Sequence, residues 1–179
     1  MILFILPLFS GGGAERVVVN LLTGLHNRGH SVGIVVFDKS GPLSSIVPKG
    51  VPIYNLGTLT LKSSVIPLVK KIRKLNPSMV FSTFGYINVA LLTVSWFLPK
   101  KTEIWIREAN LPSISLSNNP RPWLMTTLYR FLYKKSDKLI GTSIRVKDEF
   151  VSGFLVPEDI IEIIPNPVDM NKRGRYPFI

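Results

Sequence analysis

Met1-Ile2-Leu3-Phe4-Ile5-Leu6-Pro7-Leu8-Phe9-Ser10-Gly11-Gly12-Gly13-Ala14-Glu15-Arg16-Val17-Val18-Val19-Asn20-Leu21-Leu22 opens the chain. The apolar run at its start fits a strand buried on both faces. Three glycines follow. Then Val17, Leu21, Leu22 and Leu25 recur at helical spacing, up to the stop signal Arg28-Gly29. A strand that feeds a helix through such a turn leaves backbone N–H groups bare at the helix N-terminus. Partial positive charge collects there, and anions bind. Glycine also lets a ligand approach the backbone closely.

The same alternation continues outward. The sequence predicts strands over 2–6, 32–37, 52–56, 79–83, 103–107, 138–141 and 160–164. It predicts helices over 14–28, 63–75, 88–97, 123–135 and 145–154, with 111–122 a polar, proline-bearing loop. Strands alternating with helices imply an α/β fold, a Rossmann-like parallel sheet with helices on both faces. Ligands of such sheets sit beyond the carboxyl ends of the strands. The glycine turn lies there, and so does Arg107-Glu108-Ala109-Asn110.

The 179 residues suit one α/β domain. A mean hydropathy of +0.28 is high for a free-standing domain and points to an exposed partner surface or a second domain. No apolar run reaches the roughly 18 residues that span a bilayer. The first run lacks a basic lead and a small-residue cleavage site, so it reads as a strand rather than a signal peptide. With no cysteine, disulfides and thiolate chemistry are excluded, and a cytoplasmic chain is the expectation.

The net charge of +11 suits nucleic acid, anionic lipid or phosphorylated substrates. Nucleic acid fits least, because the aromatics do not interleave with the cations as a stacking platform. The helix over 63–75 sets Val65, Ile66, Leu68, Val69 and Ile72 beside Lys70, Lys71, Arg73 and Lys74. That pattern fits a helix lying on an anionic membrane. It equally fits an ordinary sheet-packing helix with a wet basic edge.

A dinucleotide fingerprint wants G-x-G-x-x-G. Gly11 and Gly13 match, but Arg16 holds the third position, where a bulky side chain opposes close helix–strand packing. A P-loop sequence is absent. Glu15 suits the positive end of the helix, whereas Arg16 does not and predicts a carboxylate or phosphate partner. Asp38 reads as a turn residue, and His26 and His30 as non-catalytic.

Gly12-Gly13-Ala14-Glu15-Arg16, followed by an apolar helix and Arg28-Gly29-His30-Ser31-Val32, resembles the N-terminal domain of glycosyltransferase family 4. Ile163-Ile164-Pro165-Asn166-Pro167-Val168-Asp169 is similar to the family's segment leading into a second domain. The resemblance implies half of a GT-B fold. Residues 1–169 would be the acceptor-side domain and 170–179 a linker start or truncated tail, with the donor-binding domain absent. It implies transfer of a sugar from a nucleotide-diphosphate sugar to a glycan or lipid-linked acceptor, with retained configuration. No cofactor, no metal and no nucleic acid are expected, and the fragment alone would be inactive. Gly11, Gly12, Gly13, Glu15 and Arg16 would meet the donor diphosphate or acceptor. Arg107, Glu108 and Asn110, in an R-E-x-N pattern without the histidine many relatives carry, would form the catalytic group, with Arg107 and Glu108 as a buried pair. Asn166 and Pro167 would shape an interdomain hinge. The membrane reading places the chain at a membrane's inner face through Lys70, Lys71, Arg73 and Lys74. A dinucleotide-binding oxidoreductase domain and a non-catalytic membrane- or partner-binding module stay open as alternatives.

Overall fold

A computed structural model of the chain describes residues 1–166. Its strands are β1 (Ile2–Leu6), β2 (Val32–Val36), β3 (Ile53–Asn55), β4 (Met79–Ser82), β5 (Glu103–Glu108), β6 (Lys138–Gly141) and β7 (Ile161–Ile163). They form one sheet in the order β3-β2-β1-β4-β5-β6-β7, and every pairing is parallel. From β1 the chain winds outward through β2 and β3, then returns to β1's other side as β4. The direction of winding reverses there, so the crevice between the ends of β1 and β4 is the switch point where such sheets bind ligands.

The helices are α1 (Gly13–Asn27), α2 (Leu61–Leu75), α3 (Gly85–Thr93), α4 (Pro112–Ser117), α5 (Pro122–Leu132) and α6 (Ile144–Phe154). Side chains of a strand alternate between faces, and two cores result. Leu3, Ile5, Val80, Ile104, Ile106 and Leu139 face α2, α3, α5 and α6. Phe4, Leu6, Ile34, Val36, Phe81 and Ile140 face the other way, where α1 packs through Val18, Val19 and Leu22.

Most elements lie where the residue pattern predicts them, and the departures have local causes. Helix α2 starts two residues early because Thr60 and Ser63 cap each other: the Thr60 hydroxyl accepts from Ser63 N at 3.2 Å, and the Ser63 hydroxyl accepts from Thr60 N at 3.3 Å. Helix α3 starts at Gly85 and ends at Thr93, then tightens into a 3₁₀ turn over Ser95–Phe97. The predicted loop over 111–122 contains α4. Pro112 suits its first turn, and Glu149 of α6 accepts from both the N–H and the hydroxyl of Ser113, at 2.9 Å each. A carboxylate from a distant helix thus satisfies the start of a short one. The domain boundary expected at 169 and the hinge residue Pro167 lie outside the described residues.

The glycine corner is braced from behind. Phe9 donates its N–H to the Ser40 carbonyl at 2.9 Å and accepts from Leu43 N at 3.2 Å. Between those two contacts lies Gly41, at φ 118°, and a Cβ there would collide with the Phe9 carbonyl. Gly57, at φ 65°, has nothing within 4 Å of the same position. G41A is therefore expected to lower stability by at least about 2 kcal/mol, from backbone strain plus displacement of Phe9. G57A is expected to cost only about 1 kcal/mol. Urea unfolding midpoints check the contrast.

Candidate active site

The turn after β1 exposes Gly11, Gly12 and Gly13. Gly12 is the N-cap of α1, and no side chain caps the helix. Nothing lies within 4 Å of a Cβ built on Gly13, so this side of the corner is open. Glu15 behaves differently from its neighbours. It is buried, takes a hydrogen bond from the Ser10 hydroxyl, and lies against Gly12. Its carboxylate is part of the wall of the corner. Arg16 points to solvent and makes no ion pair among the described residues, so the partner its position predicts is not found there. Asp38 accepts from Ser40 N at 2.7 Å and is a turn residue, as expected.

β5 runs one residue further than its pattern predicts, through Glu108. That residue changes the site. Neighbours on a strand point to opposite faces, so Arg107 and Glu108 do not form the buried pair expected of them. Arg107 turns toward the α1 side. It donates to the Thr83 hydroxyl at 2.9 Å and to the Asn166 side chain, and it lines an apolar groove with Phe81, Trp105 and Ile164. Burial lowers its pKa, while the charge of Glu108 opposes the shift. Arg107 thus ties β5 to the end of β4 and to the segment leaving β7.

Glu108 turns the other way, under a cavity of about 240 Å³. Its Oε1 accepts from the Tyr133 hydroxyl, from Asn88 Nδ2 at 2.9 Å and from the Tyr129 hydroxyl at 3.4 Å. The two tyrosine rings stack at 4.1 Å between centroids. Asn88 Nδ2 also reaches the Arg107 carbonyl at 3.2 Å. Around the cavity stand Ala14 from the glycine corner, Thr83 and Tyr86 after β4, Asn110 after β5, and residues of α4 and α5. Ala14 in the first turn of α1, Glu108 and Asn110 therefore meet at the strand ends, on the α3–α5 side of the switch point. The apolar groove beside α1 is larger, about 370 Å³, but Arg107 is its only charged residue.

The family Glycosyltransferase Family 4 matches residues 11–172, from the first glycine of the corner to beyond the last strand. The chain belongs to that family. No curated protein sequence matches it. Its fold matches the N-terminal domain of GT-B glycosyltransferases. A glycosyltransferase from Rickettsia africae is 17% identical, with a TM-score of 0.70, over 95% of this chain and 44% of its own. Anabaena HepE, solved in complex with UDP, is 16% identical at a TM-score of 0.69, over 95% and 45%. The lipopolysaccharide outer core galactosyltransferase WaaB is 14% identical at 0.67, over 94% and 46%. The chain spans less than half the length of each.

In this glycosyltransferase-family domain, Glu108 and Asn110 line the cavity, Gly11, Gly12 and Gly13 are exposed in the turn that leads to its lining residue Ala14, and Arg107 is directed to the other face. Asn166 is held by Arg107, whereas Pro167 lies outside the described residues. Sequence reading missed Thr83, Tyr86, Asn88, Tyr129 and Tyr133. The spacing of Tyr129 and Tyr133, one helical turn apart inside an apolar stripe, was the available signal. Among the described residues no helix is long and apolar enough to cross a membrane. Helix α2 uses its apolar stripe on the sheet: Leu68 and Ile72 are buried, and Val69 packs against the same core. Lys70, Arg73 and Lys74 remain exposed, and Lys71 lies 5.2 Å from the Tyr54 ring centre.

Burial pushes the Glu108 carboxyl up from 4.5 to about 7, against its hydrogen bonds from Tyr133, Asn88 and Tyr129 and the charge of Arg107. Between those two pH values the native chain holds a proton that the unfolded chain has released. Stability must therefore fall as pH rises through this window and level off above it. E108Q is expected to flatten that decline, with a difference on the order of 3 kcal/mol across the window. Urea titrations at several pH values from mildly acidic to mildly alkaline measure it; parallel profiles for parent and variant would sink the assignment.

Proposed function

We propose that this chain forms the acceptor-side half of a glycosyltransferase that moves a sugar from a nucleotide-diphosphate donor to a glycan or lipid-linked acceptor. One observation carries the reading. The uncapped N-terminus of α1 is exposed at a glycine corner whose next residue, Ala14, lines the same cavity as Glu108 and Asn110, near the switch point of the sheet. Family membership and the UDP bound by Anabaena HepE support the nucleotide-sugar donor.

The chemical task follows from the charge that develops. As the bond from the sugar's anomeric carbon to the diphosphate breaks, its electron pair stays on the phosphate oxygen and negative charge grows there. Fixed N–H dipoles at Gly12 and Gly13 stabilise that charge without having to reorganise. Arg16, solvent-facing one turn into the helix, adds a mobile cation. The acceptor hydroxyl approaches from the cavity side, where Asn110 and Tyr86 offer hydrogen bonds. Its proton passes to the departing phosphate oxygen as the new glycosidic bond forms on the same face of the sugar, so the configuration is retained. Glu15 keeps the corner open by holding Ser10. Glu108 supports the cavity floor through Tyr129 and Tyr133. A second domain supplies most of the donor contacts, so the chain alone binds weakly and does not turn over.

Gly13 separates ligand binding from folding, because its Cβ position is empty. G13V is expected to leave the unfolding free energy from urea titration within about 0.5 kcal/mol of the parent. It should also abolish the amide shifts that millimolar UDP induces in the parent at Gly12 and Ala14 in NMR spectra. Shifts that survive G13V, or tighter binding of a reduced nicotinamide dinucleotide than of UDP, would overturn the reading.

A further inference from the structure

The rim of the sheet opposite the cavity carries a surface that sugar transfer does not use. Trp96 is 82% exposed and Phe97 64%, in the turn that follows α3. Phe131, 58% exposed, lies in the last turn of α5. Both helices return from the carboxyl ends of the strands, so their C-termini meet at the rim where β5 and β6 begin. Three large rings at this rim exceed isolated exposure; Trp123, 71% exposed, lies in the first turn of α5 at the cavity rim and is not part of the patch.

Cations share the patch and point the same way. Lys135 Nζ lies 5.9 Å from the centre of the Trp96 ring, and Lys134 Nζ lies 5.7 Å from that of Phe131. Lys100 and Lys101 are exposed in the turn into β5. Exposed Lys70, Arg73 and Lys74 end α2 on the same rim. Stretches 93–101 and 121–136 contain no acidic residue. The acids at the adjoining strand starts are engaged: Glu103 accepts from Trp105 Nε1 at 2.9 Å, and Asp137 accepts from Ile104 N at 2.7 Å. Cations at helix C-termini suit the helix dipole, but the dipole gives no reason for bare tryptophan and phenylalanine among them.

We propose that this rim is a docking surface for an anionic lipid bilayer, with Trp96, Phe97 and Phe131 entering the interfacial layer and the surrounding lysines meeting lipid phosphates. Aromatic rings favour the headgroup region. Each cation near an anionic surface adds to the attraction, and aromatic and electrostatic contributions together make reversible binding firm. A second copy of the chain is disfavoured as occupant, because a self-complementary contact would set lysines against lysines. The surface is distinct from the apolar stripe of α2, which the sheet already covers. It does not depend on the sugar-transfer reading.

Flotation of the 179-residue chain with lipid vesicles tests it, with phosphatidylcholine containing about 30 mol% phosphatidylglycerol against phosphatidylcholine alone. The chain is expected to float with the anionic vesicles only. W96A/F97A should lower the partition coefficient at least about tenfold, and K134E about fivefold. K62E makes the same charge change in the first turn of α2, at the opposite rim, and should change binding less than about twofold. Circular dichroism confirms that each variant is folded. Equal losses from K62E and K134E would reduce the attraction to net charge and overturn the surface. So would salt-sensitive binding, to vesicles or RNA alike, that ignores the loss of Trp96 and Phe97.

Discussion

Every strand in this sheet runs the same way, and that constraint sorts the chemistry of the molecule into two ends. Each helix leaves a strand's carboxyl end and must travel back to the start of the next. Helix N-termini therefore collect at one rim and helix C-termini at the other. The first rim has bare N–H groups, the glycine corner and the cavity; the second has the lysines of α2, the turn after α3, and the end of α5. A parallel sheet thus carries an anion-attracting edge and a cation-bearing edge before any particular residue is considered. What this sequence adds is a run of glycines at the first edge and, at the second, exposed aromatic rings set among lysines.

The fold was legible because its strands are short runs of Ile, Leu, Val and Phe set between turn signals, and because α1, α2 and α6 have clear helical periods. Legibility failed where a distant group decided a local outcome. Nothing in Leu111–Pro122 foretells a helix, since the carboxylate that satisfies its start is Glu149, on α6. The cavity was half legible. Gly11–Gly13 and Asn110 could be placed from turn chemistry and resemblance. The direction of Glu108 could not, because one further residue of strand decides whether it joins a loop or the sheet. Tyr129 and Tyr133 looked like core, and their rings are core; only their hydroxyls belong to the site's support.

Arg107 and Glu108 show how a sheet can hold two opposite charges side by side without pairing them. The peptide plane between them sends each to a different core. Each side chain loses water, and each is compensated mainly by neutral partners: threonine and asparagine for the guanidinium, two tyrosines and an asparagine for the carboxylate. Neutral hydrogen bonds stabilise a buried charge less than an opposite charge in contact does. The carboxyl's pKa accordingly rises, to about 7. The arrangement links five elements: β4, β5, α3, α5 and the segment after β7. Loss of either charge would be felt on both faces of the sheet.

Helix α2 shows what amphipathicity alone can and cannot establish. A helical period with an apolar side and a basic side is the same pattern whether the apolar side meets a sheet or a lipid, because both are dry. The discriminating quantity is which apolar side chains remain uncovered after folding. On α2, Leu68 and Ile72 are covered, and Ile66 stands alone at 67% exposure. In the turn after α3 and at the end of α5, the large rings are the residues left outside. The high mean hydropathy therefore has sources that sequence cannot separate: core, the apolar groove beside α1, and the aromatic rim. Burial separates them, and leaves α2 as a source of charge rather than of hydrophobic contact.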